Sequence, residues 1–271
     1  ASSHFNSFEL VFYRGLVSMA IMGLLMRARR TPLATRFASA HAWRSITGVI
    51  ALAAWFYAIV HLPLATAMTL NYMSSVWVGA FVIGGALLFG RASAGQGPLM
   101  VAVLASFAGV VMILRPTLEQ NQLFAGVVGL MSGLVSALAY LQVMGLGRLG
   151  EPEERTVFYF SVACALGGAL GMGFAGVSSW NWDAAIWLLP VGILASGGQW
   201  CMTRAYSHGA TLVVANLQYS GIVFGALYSL LLFGDQIPLI GWMGMLVITA
   251  SGIMATVLRA RAIPRTPAEE H

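Results

Sequence analysis

The residues best suited to bind a small ligand are amides and hydroxyls in two short segments of an otherwise apolar chain. They are Asn71, Tyr72 and Ser75 in the first segment and Asn216, Tyr219 and Ser220 in the second. In each segment the Asn and the Ser are four residues apart, so they fall on one face of a helix. Two such faces brought together would form a polar pocket near the middle of a membrane. Alternatively, these groups only hydrogen-bond neighbouring helices.

A charged side chain and several rings extend this candidate site. A charge inside a membrane span costs about 2.5 kcal/mol or more, which makes Arg14 informative. It could face a water-filled cavity and attract a carboxylate, or it could extend to the interface or pair with Glu9. Further residues that could line the same space are Trp55, Tyr57, Tyr140, Gln142 and Trp200. Their rings could stack on a ligand or lie at the membrane interface.

The elements that position these residues must be membrane helices. Of the 271 residues, 59% are hydrophobic and 8% are charged, whereas soluble domains have about 25% charged residues. This excludes a water-soluble globular domain, and the apolar content excludes a disordered chain. The uninterrupted apolar runs predict an all-α polytopic membrane protein.

Nine membrane spans are predicted, and the arginines orient them. The spans are 8–27, 43–61, 65–89, 97–115, 122–146, 156–177, 184–206, 210–233 and 237–258. If these spans alternate in direction, the arginines other than Arg14 lie on one side, with Arg115 as the exception, and that side is the cytoplasm. Arg44 is counted with the arginines that flank the first long loop. The C-terminus is then cytoplasmic, and the location is the bacterial inner membrane.

An internal repeat divides the chain. Trp55 and Trp200 are 145 residues apart, and Asn71 and Asn216 have the same spacing. We predict a first repeat over 1–116, a second over 117–259 and a cytoplasmic tail over 260–271. The second repeat has five spans and the first has four, so we expect a tenth helix before Ala1. Five-helix repeats of opposite orientation are typical of secondary transporters.

The sequence lacks the motifs of several enzyme classes. All 14 basic residues are arginines, which excludes the lysine of a P-loop or of a Schiff base. The G-x-G-x-x-G pattern at 145–150 follows a membrane helix instead of a strand, so it is not a dinucleotide site. No H-E-x-x-H motif occurs. We therefore expect no enzymatic activity, no cofactor, no metal and no nucleic-acid partner.

The chain resembles the drug/metabolite transporter (DMT) superfamily, specifically its EamA-type exporters. The similar stretches are 8–16, 64–90 and 209–235. The family carries an arginine in its second helix, which Arg14 matches. It ends its fourth and ninth helices with a Leu-Gly-Glu-like signature, matched by 89–91 and 233–235, although Arg91 has the opposite sign. Within the superfamily the chain looks most like bacterial YddG-type exporters, which implies export of aromatic and other neutral amino acids through a central cavity.

The combined prediction is a monomeric secondary exporter that works by alternating access. Its partners would be a small amino-acid substrate and the lipid bilayer. The candidate substrate-binding residues are those named above, with Arg14 tuning the cavity. The alternatives are an exporter of another metabolite or drug, a passive channel and an intramembrane enzyme.

Overall fold

The regular structure is helical throughout the described part of the chain. The computed structural model describes residues 4–78, 80–81, 101, 105, 108–109, 112, 122–208, 214, 218, 220–234 and 236–262. The helices are α1 Ser7–Arg29, α2 Ala38–His61, α3 Leu64–Tyr72, α4 Leu123–Arg148, α5 Glu153–Ala175, α6 Trp182–Ala185, α7 Leu188–His208, α8 Ser220–Leu232 and α9 Leu239–Ala262. The prediction of a helical protein is confirmed.

Five of the described helical segments are long and apolar enough to cross a membrane. They are Ser7–Arg29, Ala38–His61, Leu123–Arg148, Glu153–Ala175 and Trp182–His208. This supports a membrane-embedded protein, as the composition predicts. Much of the predicted spans 65–89 and 97–115 and the start of 210–233 lie outside the described residues. The count of nine spans, the two repeats and the three-part division of the chain therefore stay predictions.

The ends of α1 and α2 explain one correction to the sequence prediction. Helix α1 begins with a capping box, in which the Asn6 side chain accepts from the Glu9 amide and Glu9 accepts from the Asn6 amide. Helix α2 begins at Ala38, five residues before the predicted span, because the alanine-rich stretch 38–42 favours a helix. Arg44 therefore lies inside a helix and is buried. Its assignment to the flank of the first long loop was wrong.

Helices α1 and α5 pack antiparallel along most of their length. Arg29 at the end of α1 contacts Glu154 at the start of α5, at 3.4 Å. At the other end, the side-chain amide of Asn6 donates to the Gly176 carbonyl at 3.1 Å. We call the end that contains Arg29 and Arg155 the arginine-rich end. The loops that join α1 to α2 and α4 to α5 both lie there.

Short helix α3 lies in the interior of the bundle. Leu70 and Met73 are fully buried. Gly133 of α4 permits a close backbone contact, since a Cβ atom there would lie 2.7 Å from the Leu70 carbonyl oxygen. On the other side, Gly225 of α8 packs against Met68. Small residues on α4 and α8 thus hold α3 deep in the protein, with Asn71 at its inner end.

Gly15 is a point of close approach between α1 and α5, and it gives a first prediction. A Cβ atom there would lie 2.6 Å from the Ala165 backbone nitrogen. Gly15→Ala should destabilise the protein by about 1–3 kcal/mol through overpacking, measured by thermal unfolding in detergent. Gly145→Ala is the matched control, because a Cβ atom at Gly145 has no atom within 4 Å. A melting temperature equal in both variants would contradict the close contact.

A polar network at the arginine-rich end joins the two loops there. Glu151, in the α4–α5 turn, contacts His41 at 2.9 Å and Arg155 at 3.6 Å. The Thr35 hydroxyl donates to Glu151 at 2.9 Å. Burial of Glu151 opposes its ionisation. Hydrogen bonds with His41 and Thr35 and the charge of Arg155 outweigh this effect and hold the pKa of Glu151 below its ordinary value.

The lowered pKa of Glu151 predicts a pH-dependent stability. The stabilisation by the ionised carboxylate is complete above the ordinary carboxyl pKa of about 4.3 and is lost as the pH falls through the lower folded-state pKa. Glu151→Gln should therefore cost about 1–3 kcal/mol near pH 7. The difference in melting temperature between variant and wild type should shrink below about pH 4.3. A difference that stays constant over this range would contradict the network.

Candidate functional site

A cavity of about 550 Å³ lies among six helices, α1 to α5 and α7, and also borders α8. This volume is in the usual range for small-molecule sites. Its lining residues are Arg14, Arg44, Gly48, Ala51, Leu52, Trp55, Phe56, Asn71, Tyr72, Ser136, Ala139, Tyr140, Phe160, Val191, Ala195, Gly198, Gln199, Met202, Gln218 and Gly221. The wall is mostly apolar and aromatic, with a few amides and two guanidinium groups.

Five of the predicted site residues line this cavity. They are Arg14, Trp55, Asn71, Tyr72 and Tyr140. The Asn71 amide also donates to the hydroxyls of Ser132 at 3.0 Å and Ser136 at 3.4 Å. Asn71 therefore joins α3 to α4 as well as lining the cavity.

Two ring contacts position the aromatic part of the wall. Tyr72 of α3 lies directly against Gly221 of α8, where a larger residue would collide with the ring. Tyr140 stacks on Tyr206, with ring centroids 5.0 Å apart and planes at 14°. These contacts fix the rings of α3 and α4 beside the cavity.

Four other predicted site residues lie away from the cavity lining. Gln142 accepts a hydrogen bond from Thr47 at 2.7 Å, and Tyr57 stacks on His61 at 4.1 Å. Their side chains are thus used in contacts between and within helices. The remaining two are Ser75 and Trp200.

Ser75 and Trp200 also make specific contacts. Ser75 donates to Gln218 at 2.7 Å, so it orients an amide that does line the cavity. The guanidinium groups of Arg29 and Arg204 lie 5.3 Å and 5.7 Å from the centre of the Trp200 ring. Asn216 and Tyr219 lie outside the described residues, as does the side chain of Ser220.

Arg14 lies on the cavity wall and contacts an amide. Its Nη2 donates to Gln199 Oε1 at 3.3 Å. The sequence left open an ion pair between Arg14 and Glu9, but in the structure Glu9 has other partners. It accepts hydrogen bonds from Ser178 N at 3.0 Å and from Ser178 Oγ at 2.6 Å. The structure therefore favours the interpretation in which Arg14 faces a cavity.

Sequence reasoning missed Arg44, Gln199 and Phe160. Arg44 lies with its guanidinium 4.3 Å from the centre of the Phe160 ring, a cation–π contact. Gly48, one turn after Arg44 on α2, was the available signal. It leaves room for an arginine side chain to lie along its own helix.

The polar groups of this wall can bind a ligand. Over the ranges that the structure describes, the lining contains two arginines and no acidic residue. The same ranges contain no cluster of three side chains able to hold a metal ion. Guanidinium groups, amides and rings can recognise an anionic or aromatic small molecule.

Comparison with known proteins gives the family. No protein-family model matches the sequence. The chain is 31% identical over 248 residues to the pseudopaline exporter CntI of Pseudomonas aeruginosa PAO1, covering 88% of this chain and 81% of that protein. The chain belongs to the CntI exporter family. This CntI-family chain is thus a membrane exporter.

Other relatives agree with a transporter. The CntI-family chain is 30% identical over 240 residues to the pseudopaline exporter of P. aeruginosa UCBPP-PA14, and 25% identical over 262 residues to an uncharacterized transporter of Helicobacter pylori J99. The first match covers 88% of this chain and 81% of the relative, and the second covers 93% of this chain and 86% of the relative. The fold is similar to that of a solved crystal structure that is 18% identical in sequence, with a TM-score of 0.68. The matched region covers 94% of this chain and 89% of the chain in that structure. That similarity concerns the fold alone.

Proposed function

We propose that this CntI-family protein exports an amino-acid-type metabolite across the bacterial inner membrane by alternating access. The observation that carries the proposal is the cavity of about 550 Å³ among the helices, with Arg14, amides and rings on its wall. The arginine-rich end would face the cytoplasm, by the positive-inside rule. The protein would work as a monomer, without a cofactor.

Aromatic and other neutral amino acids are the first substrate candidates. Arg14 would pair with the α-carboxylate, and Trp55 and Tyr140 would contact an aromatic side chain. The resemblance to EamA-type exporters of the DMT superfamily, which rests partly on Arg14, supports the same candidates. Pseudopaline is a second candidate, favoured by the 31% identity to the pseudopaline exporter of P. aeruginosa.

Transport by purified protein in liposomes tests the proposal. Vesicles would be loaded separately with labelled phenylalanine, glutamate or pseudopaline, with protein-free vesicles as the control. Alternating access predicts saturable efflux that unlabelled substrate on the opposite side accelerates. Non-saturating efflux without such acceleration would indicate a passive channel. No protein-dependent efflux of any of these compounds would contradict the proposed function.

A further inference from the structure

Two arginines from different helices face the same cavity. Arg14 comes from α1 and Arg44 from α2. The Arg44 residue is 3% exposed, so its charge lies away from bulk water. A charge buried in this way is costly unless another group compensates it.

Neither arginine has a carboxylate partner within the part of the chain that the structure describes. The ion pairs found there involve Arg29, Arg155, His41 and His208 with glutamates of the arginine-rich end. Arg14 donates to the neutral amide of Gln199, and its Nη1 has no acceptor. The Nε and Nη1 atoms of Arg44 have no acceptor either. Several guanidinium N–H groups at the cavity thus lack a described protein acceptor.

We propose that the cavity binds a metabolite with at least two carboxylates, one for Arg14 and one for Arg44. The inference deepens the proposed function and rests on it for the direction of transport. A carboxylate matches the guanidinium fork with two parallel hydrogen bonds. A substrate with a single carboxylate leaves the second arginine uncompensated, and its ammonium group meets a wall without acids. A second carboxylate compensates the second arginine.

The non-ionic groups of the wall suit the rest of such a molecule. The amides of Gln199 and Gln218 can accept hydrogen bonds from an amine. Trp55 offers an aromatic face. A cavity of about 550 Å³ also has room for more than a single small amino acid. The substrate class is therefore an acidic, amino-acid-derived metabolite.

Thermal stabilisation of the purified protein tests the charge requirement directly. Glutamate and glutamine are matched probes, since they differ by one carboxylate, and citrate supplies three. A ligand that binds the folded state raises the melting temperature by mass action. In low-salt buffer, glutamate and citrate should raise it by several degrees more than glutamine or phenylalanine. Equal shifts with glutamate and glutamine would overturn the inference.

Variants assign the effect to the two arginines. Arg14→Gln and Arg44→Gln should each weaken citrate binding at least tenfold. Without ligand, Arg44→Gln should melt close to wild type, because it loses the cation–π contact with Phe160 but also removes a buried charge that has no carboxylate partner. Arg204→Gln is the matched control, since Arg204 lies over Trp200 and does not line the cavity. An equal loss of citrate binding in Arg204→Gln would overturn the assignment.

A second variant moves Arg44 without removing its charge. A Cβ atom at Gly48 would overlap Arg44 Nη1 and come within 2.6 Å of the Phe160 ring. Gly48→Ala should therefore displace the guanidinium and weaken citrate binding as Arg44→Gln does. Citrate binding of wild-type strength in this variant would count against the position assigned to Arg44.

The binding and transport experiments separate the two proposals. If phenylalanine is exported from vesicles and the carboxylate-rich probes give no extra stabilisation, the inference of two carboxylates fails and the export function stands. If citrate binds through both arginines and no compound leaves the vesicles, the export function fails and the binding site stands.

Discussion

Replacing Gly198 with phenylalanine should abolish transport and leave the protein folded. Gly198 of α7 lines the cavity, and a Cβ atom there has no atom within 4 Å. A phenylalanine side chain can therefore enter the cavity without displacing the helices. Because the added ring fills space that a substrate needs, we expect efflux from vesicles to fall to the level of protein-free vesicles.

The neighbouring glycine provides a matched control for this substitution. Gly197 also has open space around a Cβ atom, but it does not line the cavity. Gly197→Phe should keep efflux near the wild-type rate. Both variants should elute as wild type in size-exclusion chromatography. Normal transport by a folded Gly198→Phe protein would show that substrate does not pass through this cavity.

Replacing Glu9 with alanine should produce the largest loss of stability among these single substitutions. Glu9 is fully buried. Its carboxylate accepts from the Asn6 amide at 2.7 Å and from the amide and hydroxyl of Ser178. Hydrogen bonds to a charged group contribute about 1.5–3 kcal/mol each. We expect a loss of at least ~3 kcal/mol, because the variant leaves these donors without their acceptor.

The effect of Glu9→Ala is measured as a melting temperature in detergent, with Glu153→Ala as the control. Glu153 pairs with His208, whose side chain is 68% exposed. An exposed pair contributes about 0–1 kcal/mol. The melting temperature should therefore fall much further in Glu9→Ala than in Glu153→Ala. Equal decreases would mean that the capping box and the Ser178 contacts add little to stability.

The sequence predicted the membrane class and part of the cavity wall for identifiable physical reasons. Long apolar runs can only be buried as membrane helices, so the class follows from composition. A charge inside an apolar run needs a polar environment, which singled out Arg14. Asn71 and Tyr72 were found because they are polar residues in an apolar helix. Their grouping on one wall depends on α3 being held between α4 and α8, which spacing alone does not determine.

The sequence pattern did not predict the positions of Arg44 and Trp200, because those positions depend on how the helices pack. Arg44 lies near the end of an apolar run, where an arginine normally flanks the membrane. Its burial, with α2 beginning at Ala38 and Gly48 leaving space one turn later, places the side chain inside the bundle. Trp200 lies inside a predicted span, yet its ring contacts two arginines. One is Arg204 on the same helix, and the other is Arg29 at the end of α1. Such contacts join residues far apart in sequence.

The antiparallel pair of α1 and α5 is held in register at three levels. Asn6 contacts Gly176 at one end, Ser161 donates to Ser18 at 2.9 Å in the middle, and Thr31 donates to Glu154 at 2.8 Å at the other end. Sliding by one helical residue, about 1.5 Å, would break contacts at all three levels. We therefore expect these two helices to move as one rigid body. In a transport cycle, distances between probes on α1 and α5 should stay constant, while distances from this pair to α3, α7 and α8 change.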